Sequence, residues 1–283
     1  MTDLELPGGG RTPVVGLDGG GAGDPVVVLL PALGVAAGYY GPFVKALAAE
    51  GVATLVADFP GQGESRPLAS RKNDFGYAAV SDDVVAATVA VAQERYAGRP
   101  LAFLGHSFGG QVAMVNLATH VSAVSALVLI GSGSPYWRGY SQQFKLLGQT
   151  QFIGAFTALR GFWPGDRLGF GGRQPRRLMR EWAHFARRGD LVVERSGPGV
   201  EPDFAKVSLP VLAVTLDNDD LAPRGSVDNL VNKLESSAVE HRFVTRPCGE
   251  AGPAFDHFTW ARHPGSFAGD VATWLREAVG RAA

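Results

Sequence analysis

The residues able to carry chemistry are few. Ser107 lies in Gly105-His106-Ser107-Phe108-Gly109, with a glycine two positions to either side. The apolar run Leu101-Ala102-Phe103-Leu104 leads in, and a helical pattern from Gln111 to Ala118 leads out. A serine on a sharp strand-to-helix turn is exposed and strained, and such glycines permit the close backbone approach the turn needs. Ser107 therefore reads as a nucleophile. The competing reading, in a chain with 38 glycines, is a tight turn capped by a serine. The strand before it and the helix after it favour the nucleophile. A serine hydroxyl attacks poorly at neutral pH without a base in reach, and the base needs an orienting carboxylate. Histidine is the natural base because it titrates near neutrality.

Those partners have to be delivered by the elements around them. Residues 26–30, 52–58, 101–104, 124–130 and 210–216 are largely apolar runs of strand length, all but 101–104 carrying β-branched residues, the pattern of strands buried on both faces. A weaker strand follows at 241–245. Helical patterns alternate with them over about 38–50, 76–96, 225–235 and 264–281, besides the one after Ser107. The 76–96 segment has an apolar face on Val80, Val84, Ala87, Val91 and Ala92. Near the N-terminus, residues 12–16 suggest a short strand. The glycine-rich stretch Gly19–Asp24 resembles a nucleotide loop. Asp24 stands where the third glycine is required, however, and a strand follows, so a hairpin turn is the better reading.

This βαβα order specifies an α/β protein with a mostly parallel, doubly wound sheet. The alternation stops over residues 134–208, a segment too long for a structureless loop. It is expected to form a helical cap inserted before the acid-bearing strand, with residues 1–133 and 209–283 as the core. Its aromatics could form a small core of their own or line a cavity. Tyr136, Trp137 and Trp163 are the candidates for substrate contacts. The basic cluster from Arg173 to Arg180 reads as a solvated helix face.

In such a sheet, ligands bind beyond the carboxyl ends of the strands. Ser107, the Leu33 turn and Asp217-Asn218-Asp219-Asp220 all fall there. His257 lies in the loop after the last strand and is the expected base. His106 should point away from the serine on the elbow. His120 ends a helix, His184 lies in the cap, His241 starts a strand and His263 precedes Pro264. The strand ending at Ile130 carries no carboxylate, so the acid must be Asp217, Asp219 or Asp220. Asp219, four residues before Pro223, is favoured. Cys248 is expected to be a small packed or partly exposed side chain.

In these motifs the chain resembles the α/β-hydrolase superfamily. The shared features are the Ser107 elbow, the loop Asp58-Phe59-Pro60-Gly61-Gln62-Gly63-Glu64-Ser65, the acid loop ending in Pro223, and the order Ser…Asp…His. The resemblance covers nearly all of the chain except the cap. The segment Gly131 to Gly139 is similar to one in uncharacterised bacterial hydrolases near the monoacylglycerol lipases and serine aminopeptidases. The resemblance implies an oxyanion hole from the backbone N–H groups of Leu33 and Phe108, with Pro31-Ala32 where His-Gly is common. It implies a serine hydrolase of the carboxylic ester type, acting on an ester, thioester or lactone of a mid-sized apolar substrate, without metal or organic cofactor. Two alternatives use the same fold: an acyl transferase or cyclase with the same triad, and a non-catalytic small-molecule binder. Epoxide hydrolase and haloalkane dehalogenase chemistry is disfavoured, because those relatives carry Asp at the elbow.

Composition agrees with a folded enzyme-like domain. Of the 283 residues, 46% are hydrophobic and 19% charged, enough for a large core. A net charge of -1 recommends neither nucleic acid nor an anionic membrane as partner. A single cysteine precludes an internal disulfide and fits a reducing compartment. Met1–Pro7 is acidic and unlike a signal peptide, and no apolar run is long enough to span a bilayer. The expectation is a cytoplasmic monomer or homodimer with a small-molecule acyl substrate.

Overall fold

A computed structural model describes residues 2–6, 9–120, 124–195, 199 and 201–282. The strands are β1 (Thr2–Leu6), β2 (Gly10–Leu17), β3 (Val26–Leu30), β4 (Ala53–Ala57), β5 (Leu101–His106), β6 (Val124–Ile130), β7 (Phe162–Pro164), β8 (Arg173–Pro175), β9 (Pro210–Leu216) and β10 (Ala238–Val244). The helices are α1 (Gly41–Ala49), α2 (Tyr77–Ala79), α3 (Ala86–Arg95), α4 (Phe108–Thr119), α5 (Gln143–Arg160), α6 (Gly165–Leu168), α7 (Arg176–Arg188), α8 (Arg224–Val231), α9 (Thr259–Arg262) and α10 (Phe267–Ala282). A π-helical turn, Val80–Val85, joins α2 to α3, so the single helix expected over 76–96 is one run with a wide turn in it.

Eight strands form one sheet in the order β1-β2-β4-β3-β5-β6-β9-β10. From β4 to β10 all neighbours are parallel, and only β2 runs against the rest, pairing antiparallel with β1 and β4. Strand residues alternate between two apolar layers. Val26, Val28, Phe103, Leu127 and Leu129 pack with Val84, Val112, Val115 and Leu230 on one face. Val27, Leu29, Leu104, Val128 and Ile130 pack with Phe43, Leu47, Trp260 and Leu275 on the other. Covering both faces in this way explains why the strands read as unbroken apolar runs.

Two expectations near the N-terminus are corrected. β1 was not anticipated, because Leu4 and Leu6 alternate with acidic residues over only five positions. The stretch Gly19–Asp24 is not a hairpin turn: it joins β2 to β3, which are separated in the sheet by β4. It closes locally instead, with the Gly21 amide donating to the Asp24 carboxylate (2.9 Å).

Between β6 and β9 the chain leaves the sheet and builds α5, α6, α7 and the two-stranded β7–β8 ribbon. Helices α5 and α7 pack on each other. The segment is tied to the core at several points. Arg173 donates to the Ala69 carbonyl (2.6 Å), and Arg176 pairs with Asp74 (3.2 Å). Part of the basic cluster is thus spent on holding this segment down.

Candidate active site

Strand order explains where the candidate residues meet. From β3 the chain winds outward to β4, and from β5 it winds the opposite way to β6, so the turns after β3 and β5 diverge from a shared switch point. Leu30 pairs with Gly105 in the β3–β5 ladder. The residues just beyond, Pro31-Ala32-Leu33 and His106-Ser107-Phe108, therefore lie side by side.

Ser107 has φ 54° and ψ -119°, the one positive φ among the described non-glycine residues. Such a conformation costs of the order of 1–3 kcal/mol and persists only where its surroundings enforce it. Here they do. The Ser107 amide donates to the Ile130 carbonyl (3.1 Å), and the Gly110 amide donates to the Ser107 carbonyl (3.0 Å). A Cβ on Gly105 would stand 2.3 Å from the Gly110 Cα, and one on Gly109 would stand 2.0 Å from the Leu30 carbonyl oxygen. The glycines are required by close packing of β5, α4 and β3.

The acid and base come together by a short extension of the sheet. Asn218 and Asp256 form an isolated parallel bridge, and the Asn218 amide donates to the Phe255 carbonyl (3.2 Å). Asp219 and His257 are the next residues on each side. His257 Nδ1 lies 2.9 and 2.8 Å from the two oxygens of Asp219. The Asp219 carboxylate also accepts the amides of Leu221 (2.9 Å) and Ala222 (2.8 Å), which fix its orientation. Both side chains are buried. Gly131, just after β6, leaves them room: a Cβ there would lie 2.9 Å from Asp219 Oδ2 and 3.3 Å from His257 Nδ1. Nothing in the sequence assigned Gly131 that part.

The loop after β3 is anchored on both sides of Leu33. The Ala32 amide donates to the Tyr40 hydroxyl (2.8 Å), and the Gly34 amide donates to Gln62 Oε1 (2.8 Å). The Leu33 amide is held between them. The Phe108 amide is the first of α4, one of the N–H groups that a helix start leaves without an internal acceptor. Tyr40 Oη in turn lies 2.7 Å from His106 Nδ1. As expected, His106 points away from the serine, into the layer beside Trp260 (5.2 Å between rings). Burial, reinforced by neighbouring His257, pushes its pKa well below the ordinary value. His106 is thus neutral and can accept the Tyr40 proton at Nδ1. These two residues brace the loop and went unrecognised in the sequence, where Tyr40 reads as one more helix aromatic.

Ser107, His257, Leu33 and Phe108 all line one cavity of about 590 Å³. Its other walls include Gln111, Tyr140, Gln142, Lys145, Leu146, Gln149, Phe170, Trp182, Asp220, Leu221 and Phe258. Tyr136, Trp137 and Trp163, expected as substrate contacts, are not among them. Trp163 lies in β7 with its ring in the core, and its Nε1 donates to the Phe170 carbonyl (2.9 Å). Tyr136 packs on Gly189, and Trp137 turns toward Phe144 (5.5 Å). The aromatics at the cavity are instead Tyr140, Phe170 and Trp182 from the insertion and Phe258 beside His257. Tyr140 Oη donates to the Leu221 carbonyl (3.0 Å) and lies 3.1 Å from the Ser226 hydroxyl, tying the insertion to the loop that carries Asp219. Burial pushes the phenol up to about 12. Asp217 lies near Thr245, and Asp220 lines the cavity without contacting His257. The remaining histidines sit elsewhere: His120 near Asp82, His184 near Asp190, His241 near Asp228, and His263 with its carbonyl accepting from Arg246. Cys248 is exposed.

A sequence model described as alpha/beta hydrolase fold matches residues 25–252. The chain belongs to the α/β-hydrolase fold family. Solved structures of similar fold include a thermostable carboxyl esterase from Bacillus coagulans in complex with glycerol, at 14% identity and TM-score 0.67 over 98% of each chain. Est1E from Butyrivibrio proteoclasticus with ferulic acid bound is similar at 15% identity and TM-score 0.61, over 100% of this chain and 99% of that one. The esterase EaEST from Exiguobacterium antarcticum gives 17% identity and TM-score 0.60, over 97% and 99%. No curated protein matches the sequence. In this α/β-hydrolase the strained serine and the histidine of the histidine–aspartate pair thus face the same cavity as Leu33 and Phe108.

Proposed function

We propose that this α/β-hydrolase is a serine hydrolase that cleaves carboxylic esters, thioesters or lactones of mid-sized, largely apolar substrates through an acyl-enzyme on Ser107. The observation that carries the reading is the His257–Asp219 pair opening into the same cavity as a serine held at positive φ. Ser107 Oγ attacks the carbonyl carbon while His257 Nε2 takes its proton. Asp219, bonded to Nδ1, holds the ring and stabilises its charged form. The developing oxyanion is received by the amides of Leu33 and Phe108. His257 then returns the proton to the leaving oxygen or sulfur, and water attacks the acyl-enzyme by the same steps in reverse. Residues 134–208 act as a cap. Leu146, Phe170 and Trp182 from the cap, with Leu33 and Phe258, offer the apolar surface, and the volume is within the usual range for small-molecule sites. The carboxyl esterase and the ferulic-acid complex among the similar structures support an ester bond as the scissile one.

A fluorophosphonate probe should label the protein once, and Ser107→Ala should remove the label. A folded protein that does not label would favour a binding role. With a responsive ester, Ser107→Ala and His257→Ala should each lower kcat by roughly 10⁴–10⁶. Asp219→Asn should cost roughly 10⁴. Undiminished turnover in His257→Ala would remove His257 as the base.

A further inference from the structure

Helix α5 is amphipathic in an inverted sense. Gln142 at its N-cap, with Lys145, Leu146 and Gln149 on it, lines the cavity, and Ile153 and Thr157 are buried. On another face it exposes Phe144 (78%), Phe152 (61%) and Leu159 (86%). At 100° per residue these three, with Gly148 and Ala155 between them, fall in an arc of about 80° along roughly 22 Å. Both intervening residues are exposed too. Isolated exposed apolar residues are ordinary, but a continuous stripe marks a contact surface. Phe144 and Phe152 belong neither to the core nor to the cavity lining.

Cations bracket the stripe. At its start Phe144 meets Trp137 (5.5 Å), and the Arg138 guanidinium lies over Trp137 (5.1 Å). At its end Arg160 follows Leu159 and lies over Phe162 (5.1 Å), with Arg173 over the same ring (4.0 Å). From Tyr136 to Arg173 there are five cationic residues, Arg138, Lys145, Arg160, Arg167 and Arg173, against one acidic residue, Asp166. Among the described residues none of the five is in an ion pair with a carboxylate, whereas arginines elsewhere commonly are. A whole-chain charge of -1 conceals this local excess.

We infer that this face of α5 docks peripherally on an anionic phospholipid surface. Phe144, Phe152 and Leu159 enter the boundary between headgroups and acyl chains. Arg138 and Arg160, with Trp137 and Phe162 beneath them, sit at the level of the phosphates. No described helix is long and apolar enough to cross a membrane, so the contact stays at the surface. Docking goes beyond the proposed hydrolysis and does not depend on it. It would set one wall of the cavity against the lipid, since α5 supplies both.

The test is co-sedimentation of the full chain with vesicles of phosphatidylcholine alone and of phosphatidylcholine mixed with phosphatidylserine. The chain should pellet with the mixed vesicles, and rising salt should release it. Arg138→Gln and Arg160→Gln should each weaken binding roughly fivefold. The variant F144S/F152S/L159S should lose binding by more than tenfold while melting at the parent's temperature. Ser107→Ala should pellet as the parent does, which separates docking from catalysis. The inference is overturned if the chain stays in solution with both vesicles, or if the triple variant still pellets. It is also overturned if analytical ultracentrifugation shows the triple substitution splitting a dimer that binds no vesicle, because the stripe then belongs to a second copy.

Discussion

The residue whose removal tests the site most finely is Tyr40, which does not itself line the cavity. Its hydroxyl accepts the Ala32 amide and serves His106 Nδ1 on its other side. Tyr40→Phe keeps the ring packed against Trp260 but leaves a buried amide without an acceptor, a loss of about 1–3 kcal/mol. If the Leu33 amide receives the oxyanion, part of that loss should fall on the transition state. The expected outcome is a roughly tenfold lower kcat with KM almost unchanged, in steady-state assays on a soluble ester. A change in KM alone would detach Tyr40 from the chemistry. At this scale the sequence was readable where the residue type itself carries the signal. Ser107 stands between its glycines, and Asp219 stands four residues before Pro223. It was silent where a role arises from what comes close in space. Gly131 makes room for a pair supplied by two other loops, and Tyr40 was one aromatic among several.

Among the elements, the junction of α7 with α2 has a pH dependence of its own. The Glu181 carboxylate accepts the Tyr77 amide at the start of α2 (2.8 Å) and the Glu194 amide beyond α7 (2.8 Å). Gly76 leaves it room, since a Cβ there would be 2.5 Å from Oε2. Burial raises its pKa from 4.5 to about 7. The two amides and Arg177 oppose that rise, and nearby Glu194 adds to it. A carboxyl whose folded pKa is raised favours folding most below its unfolded value, and that contribution is lost as pH climbs through the folded one. Stability attributable to Glu181 should therefore fall between about pH 4.5 and pH 7 and level off above. Glu181→Gln, fixed in the neutral form, should flatten this slope by an amount on the order of 3 kcal/mol. Urea denaturation of both proteins at pH 5 and pH 8 measures the difference, and parallel pH profiles would contradict it. The elements themselves were largely legible, because strands buried on both faces leave unbroken apolar runs. The two that escaped had weak signals. β1 has two leucines among acids, and the β7–β8 ribbon has three residues per strand. Aromatic content does not reveal which face of an inserted segment looks inward: the cavity is lined by Tyr140, Phe170 and Trp182 and not by the expected Tyr136, Trp137 and Trp163.

Across the whole molecule, the insertion between β6 and β9 meets the turn after β3 backbone to backbone. Gly34 follows Leu33, and a Cβ on it would stand 2.4 Å from the Gly171 carbonyl carbon and 2.5 Å from the Gly172 nitrogen. Gly34, Gly171 and Gly172 all have positive φ. Gln174 holds the insertion's side of the contact by donating to the Gly171 carbonyl (2.6 Å). Gly34→Ala must therefore displace either the insertion or the loop carrying the Leu33 amide. The expected result is a protein that still melts cooperatively but labels with fluorophosphonate at least tenfold more slowly. Labelling at the parent's rate would mean that the two loops yield to each other without cost.

That contact bears on how such a chain could diversify. An inserted segment joined to its host only at its two ends can be exchanged for another, and the host keeps its chemistry. Here the insertion reaches back across the sheet and presses two glycines against the turn after β3. A replacement of equal length and helicity, lacking small residues at that one spot, would leave the turn unbraced or push it aside. On the proposed function, substrate preference and carbonyl activation would in this way be inherited together, and a recombinant with a new insertion would have to reinvent the fit before it could explore new substrates.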